Sequence, residues 1–495
     1  MLRKIRITLA TLMMIGITWL FVDFTGTAHH LVGGLAKLQF LEAVLALNFI
    51  VIAFLLVLTL ACGRIYCSII CPLGIMQDIF GWLGKKAKKN RYTYSKAISW
   101  LRYGVLAIFI VALIAGVGTI VQLLAPYSAF GRIATNLLQP VYQAGNNVLA
   151  TIAEHNDSYA FYQSEIWLRS GVSLIIAGVT LVTLGVLAWR NGRTYCNTIC
   201  PVGTLLSVFS RFSFLKINFD VEKCKNCSLC TKNCKASCID YKTHTVDATR
   251  CVVCGDCMKV CKHGALKYTK GTVLAVSSHD TEEPSPQGTG RRSFLLSSAL
   301  LATAALAQDK KKVDGGLAEI QDKVAPERQT PLTPPGSLSA QNMALRCTGC
   351  QLCISECPNQ VLRPSDDLMH LMQPVMSYER GYCRPECNRC SEVCPAGAIK
   401  PIRHEDKASV QIGHAVWIKK NCIPLTDGVE CGNCARHCPT GAIEMVPSDP
   451  DDDESPYVPA VNEARCIGCG ACENLCPARP FSAIYVEGHE VHKEI

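Results

Sequence analysis

The length, charge and cysteine content of the chain restrict the kinds of protein it can be. Its 495 residues exceed one ordinary domain, and they carry a formal net charge of +9 and 30 cysteines. The positive charge is spread along the chain, which argues against a nucleic-acid-binding stripe. Because the cysteines fall into tight groups, they indicate metal binding and argue against the disulfide framework of a small secreted domain.

Apolar stretches dominate the first 190 residues. Four are long enough to cross a hydrocarbon core, which needs about 20 residues. We expect transmembrane helices at 5–23, 39–61, 98–124 and 167–189. The alternative, a soluble bundle, would show a polar face along helices of this length. Basic residues such as Arg3 and Lys85 lie before the first stretch and after the second. Such residues mark cytoplasmic loops, so both ends of the four-helix unit are expected in the cytoplasm.

One cysteine motif follows both the second and the fourth stretch. Residues 63–74 read GRIYCSIICPLG, and residues 192–203 read GRTYCNTICPVG. This repeat predicts two helix pairs with equivalent sites around a pseudo-two-fold axis. Its thiols belong to Cys67, Cys71, Cys196 and Cys200. They are expected either to hold a metal or cluster jointly near the membrane or to act as redox-active dithiols, with simple packing as the alternative.

Two adjacent histidines follow the first apolar stretch on the side opposite the basic loops. His29 and His30 could hydrogen-bond a quinone head group or ligate a haem. Histidines in exposed loops without such a role are commoner. The sequence leaves these alternatives open.

Residues 216–270 are polar and carry two groups with the spacing C-x2-C-x2-C-x3-C. The first group is Cys224, Cys227, Cys230 and Cys234, and the second is Cys251, Cys254, Cys257 and Cys261. Three cysteines at this spacing wrap one cubane cluster, and the fourth usually reaches the neighbouring cluster. Cys261 is therefore expected to complete the first cluster and Cys234 the second. Lys235 and Lys262 stand where a proline commonly follows the fourth cysteine.

A linker with an export signal is predicted next, over residues 271–307. Arg291 and Arg292 open a twin-arginine pattern, and a short apolar run ends at Ala307. Whether this segment is cleaved or kept as a fifth membrane anchor is left open. A proline-rich tether, 308–344, leads to the last cysteine region, which the signal would place outside the cytoplasm.

Residues 345–495 carry four further cysteine groups, each followed by a proline. They are Cys347, Cys350, Cys353 and Cys357; Cys383, Cys387, Cys390 and Cys394; Cys422, Cys431, Cys434 and Cys438; and Cys466, Cys469, Cys472 and Cys476. Structural zinc, the alternative, prefers paired C-x2-C knuckles with longer separations. The six groups along the chain therefore predict six [4Fe–4S] clusters. Only Cys62 and Cys238 lack an assignment.

The predicted fold is an α-helical membrane domain, residues 1–215, joined to α+β ferredoxin-like modules at 216–270 (two clusters) and 345–495 (four clusters). The first part, with its two repeated cysteine motifs, resembles the NapH-type membrane subunit of periplasmic nitrate reductase systems. Residues 291–495, with the twin-arginine pattern and the long-spaced group Cys422 to Cys438, resemble the exported NapG-type ferredoxin. The chain thus resembles a fusion of the two.

The resemblance implies a protein of the cytoplasmic membrane with its last module outside, relaying electrons from the quinone pool to an extracytoplasmic oxidoreductase. It leaves open whether the chain is itself a quinol dehydrogenase. It also implies that Cys476 completes the first cluster of the last module and Cys357 the fourth, while Cys438 completes the second and Cys394 the third. The alternatives are electron entry from an exported dehydrogenase into quinone and a metal-reducing or maturation factor. Membrane lipid is the further expected partner, and nucleic acid is not expected.

Overall fold

A computed structural model describes residues 2–87, 92–158, 160–270, 321–452 and 454–495 of the chain. The whole predicted linker, residues 271–307 with its twin-arginine pattern, and residues 308–320 of the predicted tether lie outside these residues. Within them, a helical bundle carries one cysteine module at each end. We call residues 215–270 the first module and residues 340–495 the second module.

The helices of the bundle follow from the apolar runs and from the residues that interrupt them. In chain order they are α1 (Leu2–Val22), α2 (Thr27–Val32), α3 (Gly34–Lys37), α4 (Phe40–Leu45), α5 (Phe49–Cys62), α6 (Tyr66–Ile69), α7 (Pro72–Lys86), α8 (Ser99–Ile114), α9 (Gly118–Leu124), α10 (Pro126–Ile133), α11 (Gln139–His155), α12 (Gly171–Asn191), α13 (Thr194–Thr198) and α14 (Pro201–Ser210). A π-helical turn, Ala134–Leu138, joins α10 to α11. Pro72 and Pro201 begin α7 and α14, where a missing N–H costs nothing.

Two of the four predicted spans are continuous helices. Within the described ranges, α1 and α12 have the length and composition needed to cross a membrane. The second span is broken into α4 and α5 by Leu47, whose φ is 55°, and by Asn48, which caps α5 through Val51 N–H. The third is broken into α8 and α9 at Gly116, whose φ is 73°. At 1.5 Å per residue, the 14-residue α5 is only about 21 Å long, so the prediction of four continuous spans is not confirmed.

Apolar side chains cover the outside of the bundle. Ile50 on α5, Ile114 on α8 and Ile175 on α12 are 83%, 76% and 63% exposed. The inward faces of the same helices pack into one core, which continues into the second module through residues such as Phe130 and Leu352. Water-soluble chains rarely expose a continuous apolar surface of this kind.

The first module is a small α+β unit with its own core. Its elements are β1 (Leu215–Phe219), α15 (Leu229–Lys232), β2 (Ile239–Asp240), β3 (Thr245–Val246), α16 (Asp256–Val260) and β4 (Leu266–Lys270). Antiparallel β1 and β4 bring Leu215 opposite Lys270, and β2 pairs with β3. The module lies at the start of α1 and the end of α5, where Arg3 pairs with Asp256 and Phe214 N–H donates to the Leu60 carbonyl.

The second module alternates one-turn helices with short antiparallel strand pairs. Its elements are α17 (Ala340–Arg346), α18 (Leu352–Ser355), β5 (Leu362–Pro364), β6 (Pro374–Met376), α19 (Arg389–Val393), α20 (His404–Lys407), β7 (Val410–Trp417), α21 (Ile423–Thr426), α22 (Asn433–Arg436), β8 (Ile443–Pro447), β9 (Tyr457–Val461), α23 (Ala471–Leu475) and β10 (Ile484–Glu494). Strand β5 pairs with β6, β7 with β10 and β8 with β9.

The second module covers the end of the bundle opposite the first. Ser170, which caps α12, donates to Asp366, and Asn136 donates to Gln351 across 2.8 Å. Arg380 pairs with Glu165 in the segment before α12. The two modules therefore lie at opposite ends of the same helices.

Candidate metal centres

The first module brings its cysteines together as the spacing predicts. Cys224, Cys227, Cys230 and Cys261 line one small cavity. At the second group, burial raises the pKa of Cys257, and the neighbouring thiols raise it further; these are Cys254, Cys251 and Cys234. The fourth cysteine of each group thus lies with the other group, which is the exchange typical of two-cluster ferredoxins.

The structure adds a thiol at this second group that the motif did not reveal. Cys238 is 1% exposed, and its Sγ lies 3.6 Å from Cys234 Sγ. Hydrogen bonding to Cys234 and Cys251, and then burial, raise the pKa of Cys238. It follows Cys234 by four residues, outside the C-x2-C-x2-C-x3-C pattern, and only the folded loop brings it to the site.

The fourth cysteines of the second module are exchanged differently from the prediction. Burial raises the pKa of Cys353, and its thiol neighbours, which include Cys394, raise it further. Burial likewise raises the pKa of Cys390, whose neighbours include Cys357. The resemblance implied that the first group exchanges with the fourth and the second with the third, which the structure contradicts. The physical reason is that α18 packs against α19, so the first and second groups face each other.

The third and fourth groups form the other exchanged pair. Cys476 lines a cavity with Cys422, Cys431 and Cys434. Burial raises the pKa of Cys469, and its thiol neighbours there are Cys466 and Cys438. Helices α22 and α23 pack together and bring these groups side by side. The two pairs meet where Cys383 N–H donates to the Cys469 carbonyl at 2.9 Å.

The surroundings of these thiols suit iron–sulfur ligation. Backbone N–H groups of Gly349, Ala442 and Ala483 donate to Cys347, Cys438 and Cys476 Sγ at 3.4, 3.2 and 3.3 Å. Lys407 Nζ donates to Cys383 Sγ at 3.2 Å. Hydrogen bonds to sulfur stabilise anionic thiolate ligands and tune the reduction potential. Across the described ranges, no three His, Cys, Asp or Glu side chains are arranged to hold a single metal ion.

The repeated GRxYC motifs form one buried site with two-fold pseudosymmetry. Its thiols, Cys67, Cys71, Cys196 and Cys200, are each 4% exposed. Arg64 of the first copy donates to the Cys196 carbonyl at 3.0 Å, and Arg193 of the second donates to the Cys67 carbonyl at 2.6 Å. Gln77 Nε2 lies 3.3 Å from Cys196 Sγ. Arg64 Nη2 and Arg193 Nη1 lie 3.8 and 4.0 Å from Cys67 Sγ and Cys196 Sγ, where they would offset charge on these two sulfurs.

Asp78 connects this site to the first module. Its carboxylate accepts from Arg193 Nε at 2.7 Å and pairs with Arg6 at 2.6 Å and Lys235 at 2.8 Å. Burial disfavours its charge, yet Arg193, Lys235 and Arg6 together hold the pKa of Asp78 well below its usual range. One carboxylate therefore joins α1, α7, the second cysteine motif and the first module.

Glycines in the repeated motif allow this close packing, and substitution should disturb it. A Cβ on Gly74 would overlap the Cys67 carbonyl and lie 2.6 Å from Arg193 Nη1, whereas one on Gly178 of α12 would meet nothing within 4 Å. We expect Gly74→Ala to destabilise the protein by about 1–3 kcal/mol. The matched Gly178→Ala should be neutral or slightly stabilising. Thermal unfolding in detergent measures both, and equal melting temperatures would contradict the described packing.

Family comparisons agree with the cysteine sites. A 4Fe-4S binding domain matches residues 44–91 and 171–220, which contain the two repeated motifs. Two 4Fe-4S dicluster domains match 247–361 and 429–479. The methylamine utilization ferredoxin-type protein MauM of Paracoccus denitrificans is 32% identical over 198 residues, covering 38% of this chain and 85% of the relative. The chain belongs to the ferredoxin-type 4Fe–4S proteins.

Other ferredoxin-type proteins match to a similar extent. NapF of Escherichia coli K12 is 29% identical over 162 residues, or 32% of this chain and 87% of the relative. The methylamine utilization protein MauN of Methylobacillus flagellatus is 27% identical over 192 residues, or 37% and 54%. No solved structure matches this ferredoxin-type chain. Electron transfer by 4Fe–4S clusters is thus the shared character of the chain and its relatives.

Proposed function

We propose that this ferredoxin-type protein is anchored in the cytoplasmic membrane and relays electrons from quinol to an oxidoreductase outside the cytoplasm. The observation that carries the proposal is the exposed apolar surface of a bundle that has one cysteine module at each end. Such a surface is stable in lipid and is a liability in water. An electron carrier within lipid has a lipid-soluble donor available, and quinol is that donor.

The distribution of basic side chains supports an orientation of the bundle in the membrane. Lys85 and Lys86 lie at the end of the bundle that carries the first module, together with Arg3 and Arg6. By the positive-inside rule this end faces the cytoplasm, and the second module faces outward. The twin-arginine pattern before the second module agrees with export of that module.

The bound clusters would supply one-electron transfer, and the chain supplies their ligands and surroundings. We propose one [4Fe–4S] cluster for each of the six cysteine groups and a further cluster for Cys67, Cys71, Cys196 and Cys200. In that last site Arg64 and Arg193 offset thiolate charge, and Gln77 donates toward Cys196. In the second module, the backbone N–H groups of Gly349, Ala442 and Ala483 donate to cysteine sulfur atoms and so also offset thiolate charge.

Anaerobic purification, iron determination and an EPR redox titration test the proposal. We expect about 24 iron atoms per chain from six [4Fe–4S] clusters, and more if the repeated motifs bind a seventh. In membrane vesicles, quinol should donate electrons to the iron–sulfur clusters, and EPR should detect their reduced state. Iron for far fewer than six clusters, or clusters that dithionite reduces and quinol does not, would overturn the relay.

The buried thiol pairs also support a second candidate, a metal-reducing or maturation factor for an extracytoplasmic metalloenzyme. The substitutions Cys67→Ala and Cys196→Ala distinguish the two. Intact quinol-dependent reduction with an active partner enzyme supports the relay, whereas intact electron flow with an inactive partner enzyme supports the factor. Relatives named for methylamine utilization raise a third possibility, electron flow inward to quinone; the reduction potentials of the clusters decide the direction.

A further inference from the structure

A cavity of about 260 Å³ lies between α2 of the bundle and the second module. One wall carries His29 and His30, and the other carries Glu356, Arg389 and Glu392. The cavity is therefore built from two parts of the chain that are more than 300 residues apart. Its second wall belongs to the loops that hold Cys357, Cys390 and Cys394, so it adjoins the first exchanged pair of cluster sites.

The first wall is held in place by local hydrogen bonds. Asp23 is 2% exposed, and its carboxylate accepts from Thr25, from Thr27 and from the backbone N–H of Ala28 at the start of α2. These hydrogen bonds tie the first turn of the short helix that carries both histidines to the end of α1. A Cβ on Gly33 would lie 2.7 Å from two atoms of the His29 ring, so the glycine leaves room for that ring.

Each wall contributes a polar atom without a partner. Glu356 is 2% exposed, and its Oε1 has no hydrogen-bond partner among the described residues. The buried Nδ1 of His29 is likewise unpaired there. Burial lowers the pKa of His29, and Lys37 and His30 lower it further while Glu392 opposes them, so the ring is neutral at pH 7. Buried polar atoms usually have partners, so each wall of the cavity contains a side chain whose hydrogen bonding is incomplete.

Aromatic and apolar side chains lie near the cavity, outside its lining. Phe24 contacts the rings of Tyr142 and Tyr162 at 6.1 and 5.4 Å between centroids. Tyr162 is 58% exposed and Leu31 is 71% exposed. Tyrosines of this kind line membrane–water interfaces, where the head group of a lipid-soluble molecule can enter while its tail stays in lipid.

We propose that this cavity is the site where quinol is oxidised, with His29 as the proton acceptor and Glu356 as a hydrogen-bonding partner of the head group. This inference rests on the proposed function and adds the place of oxidation. The quinol loses two electrons and two protons and becomes quinone. One proton goes to the His29 ring and the other to water at the outer surface. The electrons leave one at a time toward the sites that contain Cys357 and Cys394.

Oxidation of quinol in this cavity explains how electrons enter the second module directly, without crossing the bundle from the first module. A larger cleft of about 630 Å³ lies at the opposite end, beside Arg3, Trp82 and Lys86. Both of its carboxylates, Asp78 and Asp256, are held in ion pairs. That cleft is therefore occupied by charge pairing between the bundle and the first module, and it provides the control site.

The test compares His29→Gln in the cavity with Lys86→Gln in the opposite cleft, in full-length protein with its clusters. We expect His29→Gln to slow cluster reduction by quinol at least about 100-fold, since a positioned base contributes about that much or more. Iron content and reduction by dithionite should match the wild type, which shows that the variant folds. Lys86→Gln should reduce at the wild-type rate.

The outcomes separate this inference from the proposed function. If quinol fails to reduce the wild type, the proposed function fails. If quinol reduces the wild type and His29→Gln equally fast, the cavity is not the oxidation site although the relay stands. A photoactivated azidoquinone gives a second measurement on the wild type. It should label residues 24–33 or 356–393, and labelling only at residues 3–11 or 75–86 would overturn the inference.

Discussion

Removal of Cys394 should empty the same cluster site as removal of Cys347. In the structure Cys394 lies with Cys347, Cys350 and Cys353, so Cys394→Ala and Cys347→Ala should each lower the iron content by about four atoms per chain. The double variant should lose no more than either single one. Alanine is preferable to serine, since a serine oxygen can replace the thiolate ligand.

The matched comparison combines Cys394→Ala with Cys422→Ala. Cys422 belongs to the third group with Cys476, so this double variant should lose about eight iron atoms. The exchange implied by the family resemblance places Cys394 in the third group. It therefore predicts a loss of about eight iron atoms for Cys347→Ala with Cys394→Ala, and of about four for Cys394→Ala with Cys422→Ala. Iron determination on anaerobically purified protein therefore decides between the two pairings, with EPR spin counts as a second readout.

Removal of the Asp78 charge should be among the most destabilising single substitutions in the bundle. The side chain is 13% exposed and pairs with Arg6, Arg193 and Lys235, which Asp78→Asn would leave without their shared partner. Breaking a buried ion pair in this way costs about 3–5 kcal/mol. We expect a matching loss in the free energy of unfolding and easier proteolysis between the bundle and the first module.

An ion pair at the surface supplies the control. Asp220 pairs with Lys223 and Lys267, both more than half exposed, so Asp220→Asn should leave the melting temperature unchanged.

The stabilisation by Asp78 should depend on pH with a definite sign. The positive neighbours of Asp78 lower its pKa in the folded protein. The stabilisation that the Asp78 carboxylate contributes is therefore complete above pH 3.8, its ordinary pKa, and is lost progressively as the pH falls below that value. Equal stability of Asp78→Asn and the wild type at pH 7 would contradict this role.

The parts of the fold that the sequence predicted are those set by local pattern. Cysteine spacing identified the groups, and in the first module it also identified the exchange of Cys234 and Cys261, because only two groups are present there. The apolar runs identified α1 and α12. Asn48 and Gly116 are residue types that can interrupt a helix, but the apolar residues on both sides of each made the second and third runs look continuous.

The parts that could not be predicted depend on contacts between distant segments. With four groups in the second module, spacing cannot decide which fourth cysteine reaches which site, since that depends on whether α18 packs against α19 or α23. Cys238 and Glu356 fall outside any motif, and only the folded chain brings Glu356 close to His29. The joint site at Cys67 and Cys196 was foreseeable because the motif is repeated, although its exchanged arginine contacts were not.

Lys235 interrupts the ferredoxin pattern, and this departure has a thermodynamic consequence. It follows Cys234 directly, pairs with Asp78 and Asp256, and accepts the Arg193 N–H at its carbonyl. The ligand loop is thus also the docking surface, so binding of a cluster and binding of the module to the bundle are linked equilibria. Cluster binding must strengthen binding of the module to the bundle by the same factor by which that binding strengthens cluster binding. Iron-depleted protein should accordingly be cleaved faster near residue 214 than loaded protein, and equal cleavage rates would show that the two equilibria are independent.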